Sequence, residues 1–185
     1  MKLLSLNLSL PITVQHNGSL VTTGIFKTPV AGCVPLYTLG LEGDGQADLS
    51  VHGGVDKAVY LYPSEHYLYW QNTLGRDDLT PGQFGENFTV KGLLETEIHV
   101  GDVFRIATAV IQITQPRYPC YKLGLKMGRK DFLKLFWRSE FSGFYARILV
   151  EGSVAAGDAI ERISESLENP TIQAVVRATR KRIGE

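Results

Sequence analysis

The chain is poor in sulfur: among 185 residues there are two cysteines, Cys33 and Cys120, and two methionines. Two thiols cannot build a disulfide framework, and with no export leader apparent they are expected to be free, in a reducing cytoplasmic setting. No apolar run approaches the ~20 residues a helix needs to cross a bilayer, so no membrane span is expected and the protein should be soluble. Net charge is lacking too, with 19 Lys and Arg balancing 19 Asp and Glu. A chain without a global field does not gather polyanions, which argues against nucleic acid as the main partner.

What is present reads as a β-rich domain. Met1-Lys2-Leu3-Leu4 has the look of a leader start, but Leu4, Leu6, Leu8 and Leu10 alternate with Ser5, Asn7 and Ser9, the period of a half-buried strand with its leucines inward. Asn17-Gly18 predicts a two-residue hairpin, because the turn that matches strand twist needs positive φ at both central residues. Further strands are expected over 34–39, 57–62, 110–114 and 144–150, with a glycine-rich loop from Gly40 to Gly45. Helices are expected from Ser64 to Trp70, behind Pro63, and from Asp131 to Trp137. Gly101-Asp102 and Gly157-Asp158 each precede an alternating stretch, the punctuation of a compact barrel. After Pro170, Ile172, Val175, Val176 and Ile183 share one helical face, and Arg177, Arg180, Lys181 and Arg182 occupy the rest. The expected fold is mainly β, of the α+β kind: a mixed β-barrel over 1–165 with a few peripheral helices, then a basic amphipathic tail over 166–185. That tail should dock its aliphatic face on the barrel or on a second subunit.

Several segments could carry chemistry. Gln115-Pro116-Arg117-Tyr118-Pro119-Cys120 follows a strand directly, so two prolines stiffen the loop that presents the thiol, and Arg117 is a cation able to favour its thiolate. The plain alternative is a buried cysteine packing as a small hydrophobe. His52-Gly53-Gly54-Val55-Asp56-Lys57 combines exposed backbone N–H groups with a cation, as anion-binding nests do, or is simply a Gly-Gly turn beside a surface lysine. Asp44, Asp48 and His52 are spaced by four, but Gly43 and Gly45 argue against the helix that would align them on a metal. Phe84-Gly85-Glu86-Asn87 either lines a barrel mouth or satisfies a turn. Ser142-Gly143-Phe144-Tyr145-Ala146-Arg147 offers a glycine for close approach and an arginine for phosphate, or an arginine facing solvent.

In this order, Gly40 to Asp48, His52 to Val59, Tyr62 to Tyr67, Phe84 to Asn87, Gly101-Asp102 and Gln115 to Cys120 resemble the MOSC family, named for the C-terminal domain of molybdenum cofactor sulfurase, and within it the stand-alone YiiM-like branch. The likeness runs from about Lys27 to Ile163. It implies a mixed β-barrel, the molybdenum cofactor as ligand, and Cys120 as the molybdenum ligand or a sulfur carrier. Family members reduce N-hydroxylated compounds, 6-hydroxylaminopurine among them. Longer members of the branch continue into a small three-helix domain linked to electrons or partners, whereas this sequence has only Thr171 to Glu185 beyond the barrel.

The resulting expectation is an oxidoreductase that binds molybdenum–pterin and turns N–OH into N–H. Cys120 would hold molybdenum, His52 would give the proton, and Gly53, Gly54, Asp56, Lys57, Asn87, Arg117, Gly143 and Arg147 would surround the cofactor, with its phosphate on the cations. Expected partners are a small-molecule substrate, a redox protein and a second copy in a homodimer. The competing expectation is a non-catalytic carrier of the cofactor, or of a persulfide on Cys120.

Overall fold

The structure, a computed structural model, describes residues 1–47 and 53–184. β1 (Lys2–Leu8) is followed by the hairpin strands β2 (Ile12–His16) and β3 (Ser19–Thr23), then β4 (Thr28–Val30), β5 (Cys33–Tyr37) and the short β6 (Gly40–Leu41). A 3-10 turn over Val55–Lys57 leads into β7 (Val59–Pro63), α1 (Glu65–Leu74) and β8 (Phe88–Lys91). Next come β9 (Val103–Ile106), β10 (Ala109–Pro116), α2 (Tyr121–Met127) and α3 (Phe132–Ser139). β11 (Phe144–Val150), β12 (Gly152–Ala155), β13 (Ile160–Ser164) and α4 (Ile172–Arg182) complete the chain.

One large sheet of eight strands runs β13-β9-β10-β11-β7-β8-β1-β4, antiparallel except where β7 lies parallel to β8 across the α1 connection. The mainly β, α+β expectation holds, but the closed barrel does not. β1 is paired along one side by β8, while its other side is divided between β4, which takes Leu6 to Leu8, and the turn before β13. There Leu3 N donates to Asp158 O at 2.9 Å and Ile160 N to Met1 O at 3.1 Å, with only an isolated bridge between Lys2 and Ala159. The sheet curls until its ends meet, yet no continuous ladder closes it.

β7 organises the interior, because its five residues are all buried and its two faces serve different cores. Val59 and Leu61 join Leu6, Phe88, Phe104, Ile111 and their neighbours in an aliphatic core. Tyr60 and Tyr62 face the other way, into an aromatic core with Trp70, Phe84, Phe132 and Phe136 beneath α1, α2 and α3. Tyr62 stacks on Phe84 with ring centroids 4.3 Å apart, and its hydroxyl accepts a 2.7 Å hydrogen bond from Trp70 Nε1. A strand buried on both faces reads in sequence as a continuous apolar run, which is what Val59-Tyr60-Leu61-Tyr62 is.

The hairpin forms as expected, Asn17 and Gly18 taking φ 48° and 81°. β1 differs from its leucine pattern. A bulge between Leu3 and Ser5 shifts the register, so Leu3 and Leu6 enter the core while Leu4 is exposed and Ser5 and Asn7 are buried. Those polar side chains satisfy one another: Ser5 Oγ donates to Asn7 Oδ1 at 2.8 Å, and Asn7 Nδ2 to Thr89 Oγ1 at 3.1 Å. The tail folds back as α4, burying Ile172 and Val176 and half-burying Val175, and Ile172 N donates to Ile98 O at 2.8 Å. Burying two such side chains contributes about 3–6 kcal/mol. No helix among the described residues is long and apolar enough to cross a membrane.

Candidate functional site

A pocket opens where the turns at one end of β3, β7, β10 and β11 converge. Its walls include Lys27, Asp44, Lys57, Tyr60, Arg117, Cys120, Lys122 and Tyr145. Cys120 is half-buried and extended, at φ −118° and ψ 165°, and it is the residue from which α2 springs. Arg117 reaches the pocket from the loop after β10, with its backbone N–H donating to Gly143 O at 3.3 Å. Its side chain is only 5% exposed, lies 5.2 Å from the Tyr60 ring and 5.5 Å from the Phe136 ring, and hydrogen-bonds the Tyr145 hydroxyl.

Two features of Arg117 bear on ligand binding. Its buried Nη1 has no hydrogen-bond partner among the described residues. Burial works against its charge, but Tyr60, Tyr145 and Cys120 around it push its pKa above the ordinary arginine value, so it stays a cation. A buried N–H without an acceptor costs about 1–3 kcal/mol, and the natural remedy is an anionic group in the pocket. Burial pushes the Tyr145 phenol up, against the pull of Arg117, so it too remains a hydrogen-bond donor near neutral pH.

A buried cluster supports the wall that carries Lys27 and Asp44. Asp44 forms an ion pair with Lys27, accepts from Ser9 N at 2.9 Å and accepts from Asn87 Nδ2 at 2.8 Å. Burial lowers the Lys27 pKa, and Asp44 counteracts it. Asn87 also accepts from Tyr60 N at 3.1 Å, which ties the cluster to β7. Glu86, fully buried beside it, is saturated: Tyr67 Oη, Gly82 N at 2.8 Å, Thr89 Oγ1 at 2.9 Å and Phe84 N at 3.0 Å all donate to its carboxylate. The Phe84 to Asn87 motif therefore does both things weighed from sequence, with Glu86 fixing the turn and Asn87 lining the pocket. Among the described lining residues Lys27, Lys57, Arg117 and Lys122 face one carboxylate, Asp44, which Lys27 already neutralises.

The structure brings Gly53, Lys57, Asn87, Arg117 and Cys120 to this pocket. A Cβ on Gly53 would lie 2.0 Å from Gln46 Oε1, so the close approach its glycine permits is to that side chain. Gly54, at φ 84° and ψ 174°, opens the 3-10 turn over Val55–Lys57 in backbone that only glycine tolerates. Asp56 and Arg147 are not among the lining residues and bind each other at 2.7 Å. Gly143 supports the site from behind: a Cβ there would sit 2.5 Å from Leu61 O, and its N–H donates to Glu95 Oε1 at 2.7 Å. Glu95 is itself 2.7 Å from His66 Nε2. His52 and Asp48 lie outside the described residues. Lys27, Tyr60, Lys122 and Tyr145 were not expected in the site, and Asp44, weighed only as a metal ligand, enters it as the ion-pair partner of Lys27.

The pocket thus lies at the rim of an open, curled sheet whose aromatic side is covered by α1, α2 and α3. The MOSC domain model matches residues 48–161, and the chain belongs to this family. Within it the likeness is to YiiM-like proteins. The crystal structure of YiiM from Geobacillus stearothermophilus superposes with a TM-score of 0.82 at 34% identity, covering 100% of this chain and 86% of that one. The uncharacterized protein YflK of Bacillus subtilis is 46% identical over 170 residues, 92% of this chain and 76% of its own length. A Gibberella moniliformis protein named a reductase is 29% identical over 168 residues, 89% of this chain but 30% of its own length.

Proposed function

We propose that the protein holds a molybdenum–pterin cofactor through Cys120 and reduces N-hydroxylated compounds, turning N–OH into N–H with release of water. The observation that carries this reading is Arg117, a buried guanidinium with an N–H that has no partner among the described residues, beside a half-buried thiol in a pocket where described cations outnumber described acids. Such a donor set suits an anionic, phosphate-bearing cofactor with a soft metal. The reductase name of the Gibberella relative agrees with it.

When bound, the cofactor supplies the two-electron chemistry. The residues of this chain hold and shape. The Cys120 thiolate offers a soft, negative ligand where a hydroxyl would be hard and protonated. Arg117, Lys57 and Lys122 take the phosphate charge, and Tyr145 keeps Arg117 oriented through its hydrogen bond. Asn87 and the Lys27–Asp44 pair fix the wall they line. Arg147 and Asp56 steady the turn that carries Lys57, and His52 remains the proposed proton donor.

The test is Cys120→Ser, made in a host that synthesises the cofactor, with molybdenum and pterin measured per chain and N-hydroxyl reduction assayed. Molybdenum and turnover should both be lost while the melting temperature is kept, and Cys33→Ser, at an exposed position on β5, should change neither. Full molybdenum content and full turnover in Cys120→Ser would overturn the assignment. Stoichiometric cofactor without turnover in the unmodified protein would favour the carrier instead.

A further inference from the structure

We propose that the face built by α2 and α3 is the docking surface for an acidic electron-donor protein, an inference that rests on the reductase reading above. Reduction of a hydroxylamine consumes two electrons and two protons, R–NHOH + 2 e⁻ + 2 H⁺ giving R–NH2 + H2O. Those electrons come from a donor, here a reduced flavoprotein, which is oxidised in step.

The chain is neutral as a whole, but the stretch from Arg117 to Arg138 concentrates cations against a single acid, Asp131. Arg117 and Lys126 point inward, and Arg129 is paired with Asp131 at 2.6 Å. Lys122, Lys130, Lys134 and Arg138 have no carboxylate within ion-pair distance among the described residues. Lys134 and Arg138, exposed and four apart, share one face of α3, and Lys130, also exposed, stands in the turn just before the helix, so the three make a basic stripe. The acid at the end of that stripe, Glu140, is already held by Arg177 at 2.8 Å and Arg180 at 3.1 Å from α4. Left unneutralised, such a stripe repels itself, and an acidic partner relieves it.

At Lys130 the stripe meets an apolar groove between the two helices, walled by Tyr121, Leu125, Leu133 and the imidazole of His16, whose ring stacks on Tyr121 with centroids 6.2 Å apart. A charged rim around aromatic and aliphatic anchors is the composition of a steered protein–protein contact. Its position suits electron delivery. Cys120 and Lys122 line the cofactor pocket while Tyr121 between them lines the groove, so a partner seated there lies one residue from the proposed molybdenum ligand.

The experiment uses the full chain and flavodoxin, a small acidic flavoprotein, as probe, with affinity measured by calorimetry at about 20 mM and about 500 mM salt. Lys130→Glu with Lys134→Glu should weaken binding roughly tenfold at low salt, and the difference should disappear at high salt. Lys2→Glu with Arg105→Glu, on β1 and β9, changes net charge equally and should leave affinity within about twofold. Equal losses in both pairs, no loss in the first, or tighter wild-type binding to duplex DNA or to phosphatidylglycerol vesicles than to flavodoxin would each overturn the proposal. Cofactor-loaded protein is then assayed with an N-hydroxy substrate, driven by dithionite or by reduced flavodoxin. The Lys130/Lys134 variant should lose only the flavodoxin-driven rate. Absence of any dithionite-driven rate refutes the reductase reading, while the affinities still judge the surface. Dithionite-driven turnover with unchanged flavodoxin affinity refutes the docking surface alone.

Discussion

Alanine at Gly143 probes the contact on which the arginine side of the pocket rests. Gly143 sits at φ 60°, and its missing Cβ would lie 2.5 Å from Leu61 O and 2.7 Å from a Tyr60 ring carbon. Left-handed backbone costs a non-glycine residue ~1 kcal/mol. The clash adds to that, because Leu61 belongs to a strand paired on both sides and cannot retreat. Residue 143 must move instead, which strains two hydrogen bonds, from Gly143 N to Glu95 and from Arg117 N to Gly143 O. One goes to a buried carboxylate, so together they are worth about 2–4 kcal/mol. The expected total is about 4 kcal/mol, a fall in melting temperature of roughly 8–16 °C for a domain of this size. Gly75→Ala is the control, since Gly75 has nearly the same backbone, φ 63°, with nothing within 4 Å of its would-be Cβ. It should cost ~1 kcal/mol. Urea unfolding of both variants with a common slope measures the difference, and equal costs would show that β7 does not confine Gly143.

Glu86→Gln should destabilise the fold by about 1–3 kcal/mol in the same assay, because an amide nitrogen replaces an acceptor and leaves at least one of Gly82 N, Phe84 N, Thr89 Oγ1 or Tyr67 Oη without its partner. Lys126 supplies a pH dependence. Burial, with Lys27 and Arg117 nearby, lowers its pKa to about 8 from 10.5, so between those values the unfolded chain binds more protons and stability rises with pH. The gain is present above 10.5 and lost as pH falls through 8, and is capped at ~3 kcal/mol. Lys126→Met should flatten this rise, and an unchanged slope would contradict it.

What could be read from the sequence was local. Asn17-Gly18 carries its own backbone requirement, and Phe144 to Val150 its own alternation, so both elements appear where expected. β1 was legible as a strand but not in its orientation, since the bulge that turns Ser5 and Asn7 inward is set by pairing with Thr89 and Val90, distant in sequence. α2 went unread because Gly124 interrupts a short apolar run; in the fold that glycine admits Leu133, whose Cδ1 would lie 2.6 Å from a Cβ there. Barrel closure likewise depends on whether β13 meets β1 along its length, which no local pattern encodes. In the site, the thiol and Arg117 announced themselves by loop chemistry. Lys27 and Asp44 did not, because a buried ion pair is recognisable only once both partners are seen to lose water together.

The two-faced strand also fixes the timing of assembly. β7 is incomplete until Phe144 to Ala146 pair with it, and the pocket takes walls from Thr23 through Tyr145. At about 5–20 residues per second, a ribosome takes roughly 6–25 s between those two positions. Until its end Tyr60 and Tyr62, once made, lack β11 beside them and Arg117 lacks Gly143 O. A nascent chain thus emerges with its thiol loop made but its binding site unbuilt, and any anionic ligand must enter a domain whose synthesis has already passed β11.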